Sequence, residues 1–318
     1  MTAQNPVFDT LVRPYGKAAI DEAAAIVADG WPVAVPTETV YGLAGDATSG
    51  QAIARIYAAK GRPSFNPLIV HVLSLDDAEK LAEFDSTALA LAERFWPGPL
   101  TLVLPLRAGA RIASLATAGL GTIALRSPVH PAMRGLLAAT GRPLAAPSAN
   151  ASGLISPTRA EHVSASLGGS IKLIIDAGPT SLGLESTIVA ISRGETRLLR
   201  PGPVTTEMLD IPLAPAGERG IEAPGQMSSH YAPSKQLRLD ATERGEDEWL
   251  IGFGRVIGQS SLSPSGDLVE AASALFDRLH EAEAAPAQRI AVAPIPKEGL
   301  GIAINDRLAR AAAPRGTC

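Results

Sequence analysis

The chain has 318 residues, 46% of them hydrophobic and 19% charged, a composition that excludes a disordered chain and suits about two globular domains. Its 28 basic against 32 acidic residues leave a formal charge of −4, which argues against a protein built mainly to coat nucleic acid, since a phosphate backbone wants a basic surface. The lone cysteine, Cys318, permits neither an intramolecular disulfide nor a thiolate zinc cluster, so a reducing, cytoplasmic location is expected.

In chain order, Met1 to Asp9 lacks a basic region followed by an apolar block, so no signal peptide is expected. Lys17 to Asp29 places Ile20, Ala23, Ala24 and Val27 at helical spacing and stops at Gly30, a residue suited to the turn past a helix end. A short strand follows, Pro32 to Val35, and then the segment Pro36-Thr37-Glu38-Thr39-Val40-Tyr41-Gly42. Gln51 to Ala59 predicts a helix, with Thr48 or Ser49 as its N-cap and Gly61 beyond its end. Pro67 to Leu73 predicts a strand, Asp76 to Phe84 a helix, and Ser86 to Phe95 a helix ended by Pro97-Gly98. Further strands are expected at Leu100–Leu106, Thr122–Arg126, Leu144–Ala146, Ile171–Asp176, Ser186–Ile191 and Thr196–Leu199. Helices are expected at Pro131–Ala139 and Pro157–Leu167, the second opened by Ser156 as cap and Pro157 at the first helical position. Strands alternating with helices in one block indicate an α/β domain with a mixed sheet.

From Pro201 to Pro233 six prolines and four glycines interrupt any apolar period, and an ordered segment of this length is expected to serve as a linker or lid. A smaller unit follows: a strand at Trp249–Gly254, an amphipathic helix at Gly266–Glu283, a strand at Arg289–Ala293 and a helix at Ala303–Ala313. The expected division is residues 10–205, a linker over 206–235, and a second unit over 236–318. Residues 1–205 hold 17 basic and 16 acidic side chains, while residues 206–318 hold 11 and 16. An anionic ligand is therefore better placed in the first part. No uninterrupted apolar run approaches the ~18 residues of a membrane helix.

Familiar catalytic signatures are missing: there is no phosphate-binding loop ending in Gly-Lys-Ser/Thr, no HExxH and no Gly-x-Ser-x-Gly. Gly252-x-Gly254 follows a strand, but Gly258 stands one position late for the dinucleotide fingerprint. What remains is a set of polar residues at strand and helix ends, where α/β proteins build their sites. Lys60-Gly61-Arg62 with Asn66 suits polyphosphate, or merely a favourable helix dipole. His71, on an apolar strand, reads equally as a core residue. Arg126 ends a strand where burial demands a carboxylate partner, or where it can hold a ligand carboxylate bidentately. Pro147-Ser148-Ala149-Asn150-Ala151-Ser152-Gly153 is a hydroxyl-rich loop.

Together these segments resemble the YrdC-like family of threonylcarbamoyl-AMP synthases. The resemblance rests on Pro36–Leu43, on Lys60-x-Arg62-Pro-x-x-Asn66-Pro-Leu-Ile-Val-His71, and on Ser148-x-Asn150. It continues in Glu185-Ser186-Thr187-Ile188-Val189 and Leu199-Arg200-Pro201-Gly202. His230-Tyr231-Ala232-Pro233 and the stretch from Glu298 to Arg307 are similar to the long, two-domain members. The resemblance implies a twisted mixed sheet with surrounding helices about a positively charged cavity, and a smaller Rossmann-like C-terminal α/β unit.

The activity it implies is the conversion of L-threonine, bicarbonate and ATP to threonylcarbamoyl-AMP and pyrophosphate, with nucleotide-bound Mg2+ and no dedicated metal site on the protein. The product would pass to a tRNA threonylcarbamoyltransferase complex, and weak RNA binding by the basic surface is a second reading. Carried over by position, Thr39, His71, Arg126 and Ser186 would hold L-threonine. Arg62, Asn66, Thr122, Ala146, Ser148, Asn150, Ser156, Arg200 and Tyr231 would hold ATP, Ala146 through its main chain. Lys60 and Arg62 are the catalytic candidates, with Lys60 near the phosphates. Whether Lys60 or His71 acts as base toward the amine stays open. Ser156 has a competing reading as a helix cap.

Overall fold

The computed structural model describes residues 7–192, 194–214, 222–223 and 230–314. Cys318, the first six residues and the linker positions 215–221 and 224–229 lie outside the described residues.

The chain begins with β1 (Leu11–Pro14), α1 (Lys17–Ala28), β2 (Val33–Pro36), β3 (Tyr41–Asp46), α2 (Gly50–Lys60) and β4 (Ile69–His71). It continues through α3 (Leu75–Glu79), α4 (Ser86–Phe95), β5 (Leu100–Pro105), β6 (Thr122–Arg126), α5 (Pro131–Thr140) and β7 (Leu144–Ala145). The first unit closes with α6 (Ala160–Leu167), β8 (Leu173–Asp176), β9 (Thr187–Ser192), β10 (Glu195–Arg200) and the single turn α7 (Thr206–Leu209). The second holds β11 (Gln236–Arg238), β12 (Glu248–Gly252), β13 (Ser260–Ser261), α8 (Leu268–Ala284), β14 (Arg289–Val292) and α9 (Leu300–Ala312).

The ten strands of the first unit form one mixed sheet in the order β1-β8-β2-β3-β7-β4-β6-β5-β9-β10. Alternation along β2 sets its two faces. Val33 and Val35 pack with Ile20, Val27, Met133 and Leu136 of α1 and α5. Ala34 packs on the opposite side, with Ile53, Ile56, Leu91 and Val163 of α2, α4 and α6. The second unit is an all-parallel sheet, β11-β14-β12-β13, covered by α8 and α9.

The two units share apolar packing. Val40, Ile155, Leu184 and Tyr231 are buried in the same cluster as Ile251, Phe276 and Ile304 of the second unit. Gly183 has φ +67, and a Cβ there would stand 2.3 Å from the Ser273 carbonyl oxygen of α8, so only glycine allows this approach. Polar contacts cross beside it: Arg159 donates to Asp277 at 2.6 Å, and the His280 ring lies 3.2 Å from the Ser156 carbonyl.

Most expected elements form within a residue or two of their expected bounds, and two differ in kind. The helix expected over Asp76–Phe84 stops at Glu79, because the chain then pairs with the end of β5: Ala82 bridges Leu106, and the Glu83 amide donates to the Pro105 carbonyl. The helix expected from Pro157 begins only at Ala160, with Arg159 at the N-cap position and no side-chain cap. Ser156 is therefore not a cap; its hydroxyl donates to the Glu185 carboxylate instead. β1, β3, β11 and β13 were not legible as strands.

Candidate active site

The site is assembled where strand ends meet. β2 and β3 pair with Pro36 opposite Tyr41, and the connecting turn is closed by Thr37 Oγ1, which donates to the Val40 carbonyl at 2.8 Å. That turn presents Glu38 and Thr39. β4 and β6 run parallel with His71 opposite Arg126, which brings these two side chains to the same edge. The Arg126 fork donates through Nη2 to Glu38 Oε1 at 2.6 Å and through Nη1 to Thr39 Oγ1 at 2.9 Å. Its Nε donates to the Gly98 carbonyl at 3.2 Å.

A second cationic group lies beside it. α2 is capped by Ser49, which accepts from the Ala52 amide, and it ends on Gly61 at φ 57. This left-handed turn lets the Arg62 amide close back on the Tyr57 carbonyl and turns both basic residues inward. Arg62 Nη2 donates to the Pro67 carbonyl at 3.0 Å and Nε to the Asn66 carbonyl at 3.3 Å. At the end of β10, Arg200 donates to the Ser186 carbonyl at 3.0 Å and to Ser186 Oγ at 3.1 Å. Ser186 Oγ also meets Thr101 Oγ1 at 2.7 Å.

Thr39, Arg62, His71, Arg126, Ser186 and Arg200 line a partly enclosed cavity of about 40 Å³. Neither Arg62 nor Arg200 forms an ion pair among the described residues, and both are anchored by carbonyl and hydroxyl oxygens. Two guanidinium charges are thus held without a carboxylate partner, which prepares the cavity for an anion. His71 Nδ1 and the Tyr231 hydroxyl are buried and have no hydrogen-bond partner among the described residues, a condition that a bound ligand relieves.

The electrostatics agree. Burial raises the Glu38 carboxyl, but the adjoining Arg126 charge and hydrogen bond hold it below its ordinary value. Burial and then the Arg126 charge bring His71 down to about 3. Burial brings Arg62 down to about 10 and lowers Arg200. Lys60 falls well below its usual value, first through burial and then through Arg62. With its pKa pushed down to about 3, the His71 imidazole is neutral near pH 7. Nuclear magnetic resonance titration from about pH 5 to 8 should leave its ring signals in place; a midpoint near the free-imidazole value would contradict this burial.

The structure brings Thr39, Arg62, His71, Arg126, Ala146, Ser148, Ser186, Arg200 and Tyr231 onto the cavity wall. The other expected residues stand off it. Lys60 Nζ donates to the Ser148 carbonyl at 2.6 Å and to the Asn150 carbonyl, so it ties down the loop. Asn150 Nδ2 donates to the Ala151 and Leu154 carbonyls at 2.9 and 2.8 Å. Asn66 offers its carbonyl to Arg62 and to Tyr57 Oη. Thr122 begins β6, roughly 13 Å along the strand from Arg126 at 3.3 Å per residue. Ser156 is turned to Glu185.

Thr37, Glu185 and His230 also line the cavity, and Glu38 joins the site through Arg126; none of the four stood out individually in the sequence. For Glu38 a signal existed: a buried arginine at a strand end requires a carboxylate.

A mixed α/β sheet with an arginine-lined cavity at its strand ends, joined to a second parallel α/β unit, defines a ligand-binding enzyme of the YrdC type. A family model described as "Telomere recombination", which groups Sua5, YciO and YrdC, matches residues 25–202. A second, described as "Threonylcarbamoyl-AMP synthase, C-terminal domain", matches residues 204–313. The chain belongs to the threonylcarbamoyl-AMP synthase family, in its two-domain form. It is 39% identical to the threonylcarbamoyl-AMP synthase of Bacillus subtilis, covering 93% of each chain. It is also 39% identical to that of Pyrococcus abyssi, over 92% of this chain and 94% of the relative. The crystal structure of P. abyssi Sua5 complexed with L-threonine matches with a TM-score of 0.86 and 35% identity, over 96% of this chain and 97% of that one.

Proposed function

We propose that this chain makes threonylcarbamoyl-AMP from L-threonine, bicarbonate and ATP, releases pyrophosphate, and so supplies the threonylcarbamoyl group for tRNA modification. The observation that carries this reading is the joint placement of Arg126, Thr39, His71 and Ser186 beside two arginines, Arg62 and Arg200, that have no carboxylate partner among the described residues. An amino acid carboxylate fits the Arg126 fork, and phosphate oxygens fit Arg62 and Arg200. Ser148 and Tyr231 line the remaining wall.

In this reading the threonine amine attacks the carbon of bicarbonate, forming an N–C bond and releasing water, or that of CO2, whose C=O bond opens to the carbamate as the amine proton passes to solvent. A carbamate oxygen then attacks the α-phosphorus of ATP, an O–P bond forms, and pyrophosphate leaves. No covalent bond to the protein is required. The protein holds two anionic reactants together against their repulsion and limits their access to water. Among the described residues the one carboxylate on the wall, Glu185, is engaged by Arg307 and Ser156, and nearby Glu38 is taken by Arg126. The residues present therefore do not make a divalent-cation site. We propose that Mg2+ enters on the nucleotide's own oxygens, and no step is assigned to it.

The test is pyrophosphate release by the purified protein, with threonine and bicarbonate each present or omitted, and mass detection of the adenylate. Release that needs both substrates is the expected outcome; release without threonine would replace this reading with another acceptor. Transfer of the product to a tRNA threonylcarbamoyltransferase complex in the cytoplasm completes the proposal. Among the described residues no helix is long and apolar enough to cross a membrane. Weak RNA binding, the remaining part of the reading, would show as a steep dependence on salt.

A further inference from the structure

Arg307, on α9 of the second unit, is fully buried and reaches out of its own unit. Its Nε donates to Glu185 Oε2 at 2.8 Å, and its Nη1 to the neighbouring Asp306 at 2.6 Å. Its guanidinium carbon lies 5.2 Å from the centroid of the Tyr231 ring, within cation–π range. Glu185 and Tyr231 both line the cavity. The other Glu185 oxygen accepts from Ser156 Oγ, and the next residue, Ser186, is the anchor of Arg200. Tyr231 is further fixed by Phe276 of α8, ring centroids 5.7 Å apart.

Glu185 is thus a buried carboxylate in the wall of a cavity prepared for anions. Left alone there, it would repel phosphate oxygens and oppose the fields of Arg62 and Arg200. Arg307 cancels that charge from behind. We infer that Arg307 is a positioning residue for the reaction: by neutralising and fixing Glu185 and bracing Tyr231, it lets the second unit set the anion affinity of a cavity built by the first. This inference rests on the synthase reading for its activity test, but its binding test does not.

Two substitutions should move binding in opposite directions. Titration calorimetry of the full chain with inorganic pyrophosphate should show Arg307→Gln weakening binding by roughly 100-fold, because it leaves a buried charge uncompensated. Glu185→Gln should instead strengthen binding several-fold, because it removes a negative charge from the cavity wall while Arg307 keeps Asp306 as its partner. The double variant should return to within about tenfold of the wild type, the coupling expected of a direct pair. In the pyrophosphate-release assay, Arg307→Gln should raise KM for ATP far more than KM for threonine. Arg307→Lys should recover most of the loss. Should Arg307→Gln fail to fold, the Glu185→Gln and Arg307→Lys results decide. A purely structural pair would weaken binding in both single variants, and that result would overturn the inference. If the wild type binds pyrophosphate with these dependences yet releases none from ATP, the functional reading fails while the role of Arg307 stands.

Discussion

Arg126→Ala should abolish pyrophosphate release and lower stability by about 3–5 kcal/mol, the range for breaking a buried ion pair from one side. Two effects combine in it. The fork that fits an amino acid carboxylate disappears, and Glu38, at 5% side-chain exposure, is left charged without its partner. The effects can be separated by adding Glu38→Ala, which removes the stranded charge. The double variant should regain much of the melting temperature but none of the turnover. Thermal unfolding read beside initial rates checks both, and an active Arg126→Ala protein would remove this arginine from the substrate site.

Lys60→Ala is expected to be nearly as severe, for a different reason. Lys60 Nζ holds the Ser148 and Asn150 carbonyls, and each buried carbonyl left without a donor costs about 1–3 kcal/mol. The loop that follows β7 then loses the tie that sets Ser148 against the cavity. A displacement of about 1 Å is enough to reduce a rate ~100-fold. Lower melting temperature together with a rate loss of that order is the expected result. Turnover lost with stability unchanged would return Lys60 to a direct role at the phosphates.

The fold was legible where local chemistry and long-range packing agree. α2 carries its own stop signals: the Ser49 cap and the left-handed Gly61 are fixed within a few residues. β3 was hidden because Tyr41-Gly-Leu-Ala-Gly-Asp lacks the β-branched run that marks a strand; its pairing with β2 and β7 alone makes it one. Ser156-Pro157 has the local form of a helix start, yet a carboxylate 29 residues away takes the hydroxyl. At the site, the arginines and hydroxyls stood out as motif residues. Their partners did not: Glu38 lies 88 residues from Arg126 and Glu185 lies 122 from Arg307, separations at which no periodicity connects charge to countercharge.

The common apolar cluster that joins Val40, Leu184 and Tyr231 to Phe276 and Ile304 also has a thermodynamic meaning. Melting the second unit would expose the far side of the strand-end turns, so the two halves should unfold in one transition. Occupancy of the cavity should therefore protect amides in α8 and α9 from hydrogen exchange, by mass action alone. The small unit acts less as an appendage than as ballast, whose weight is felt at the point where the substrates meet.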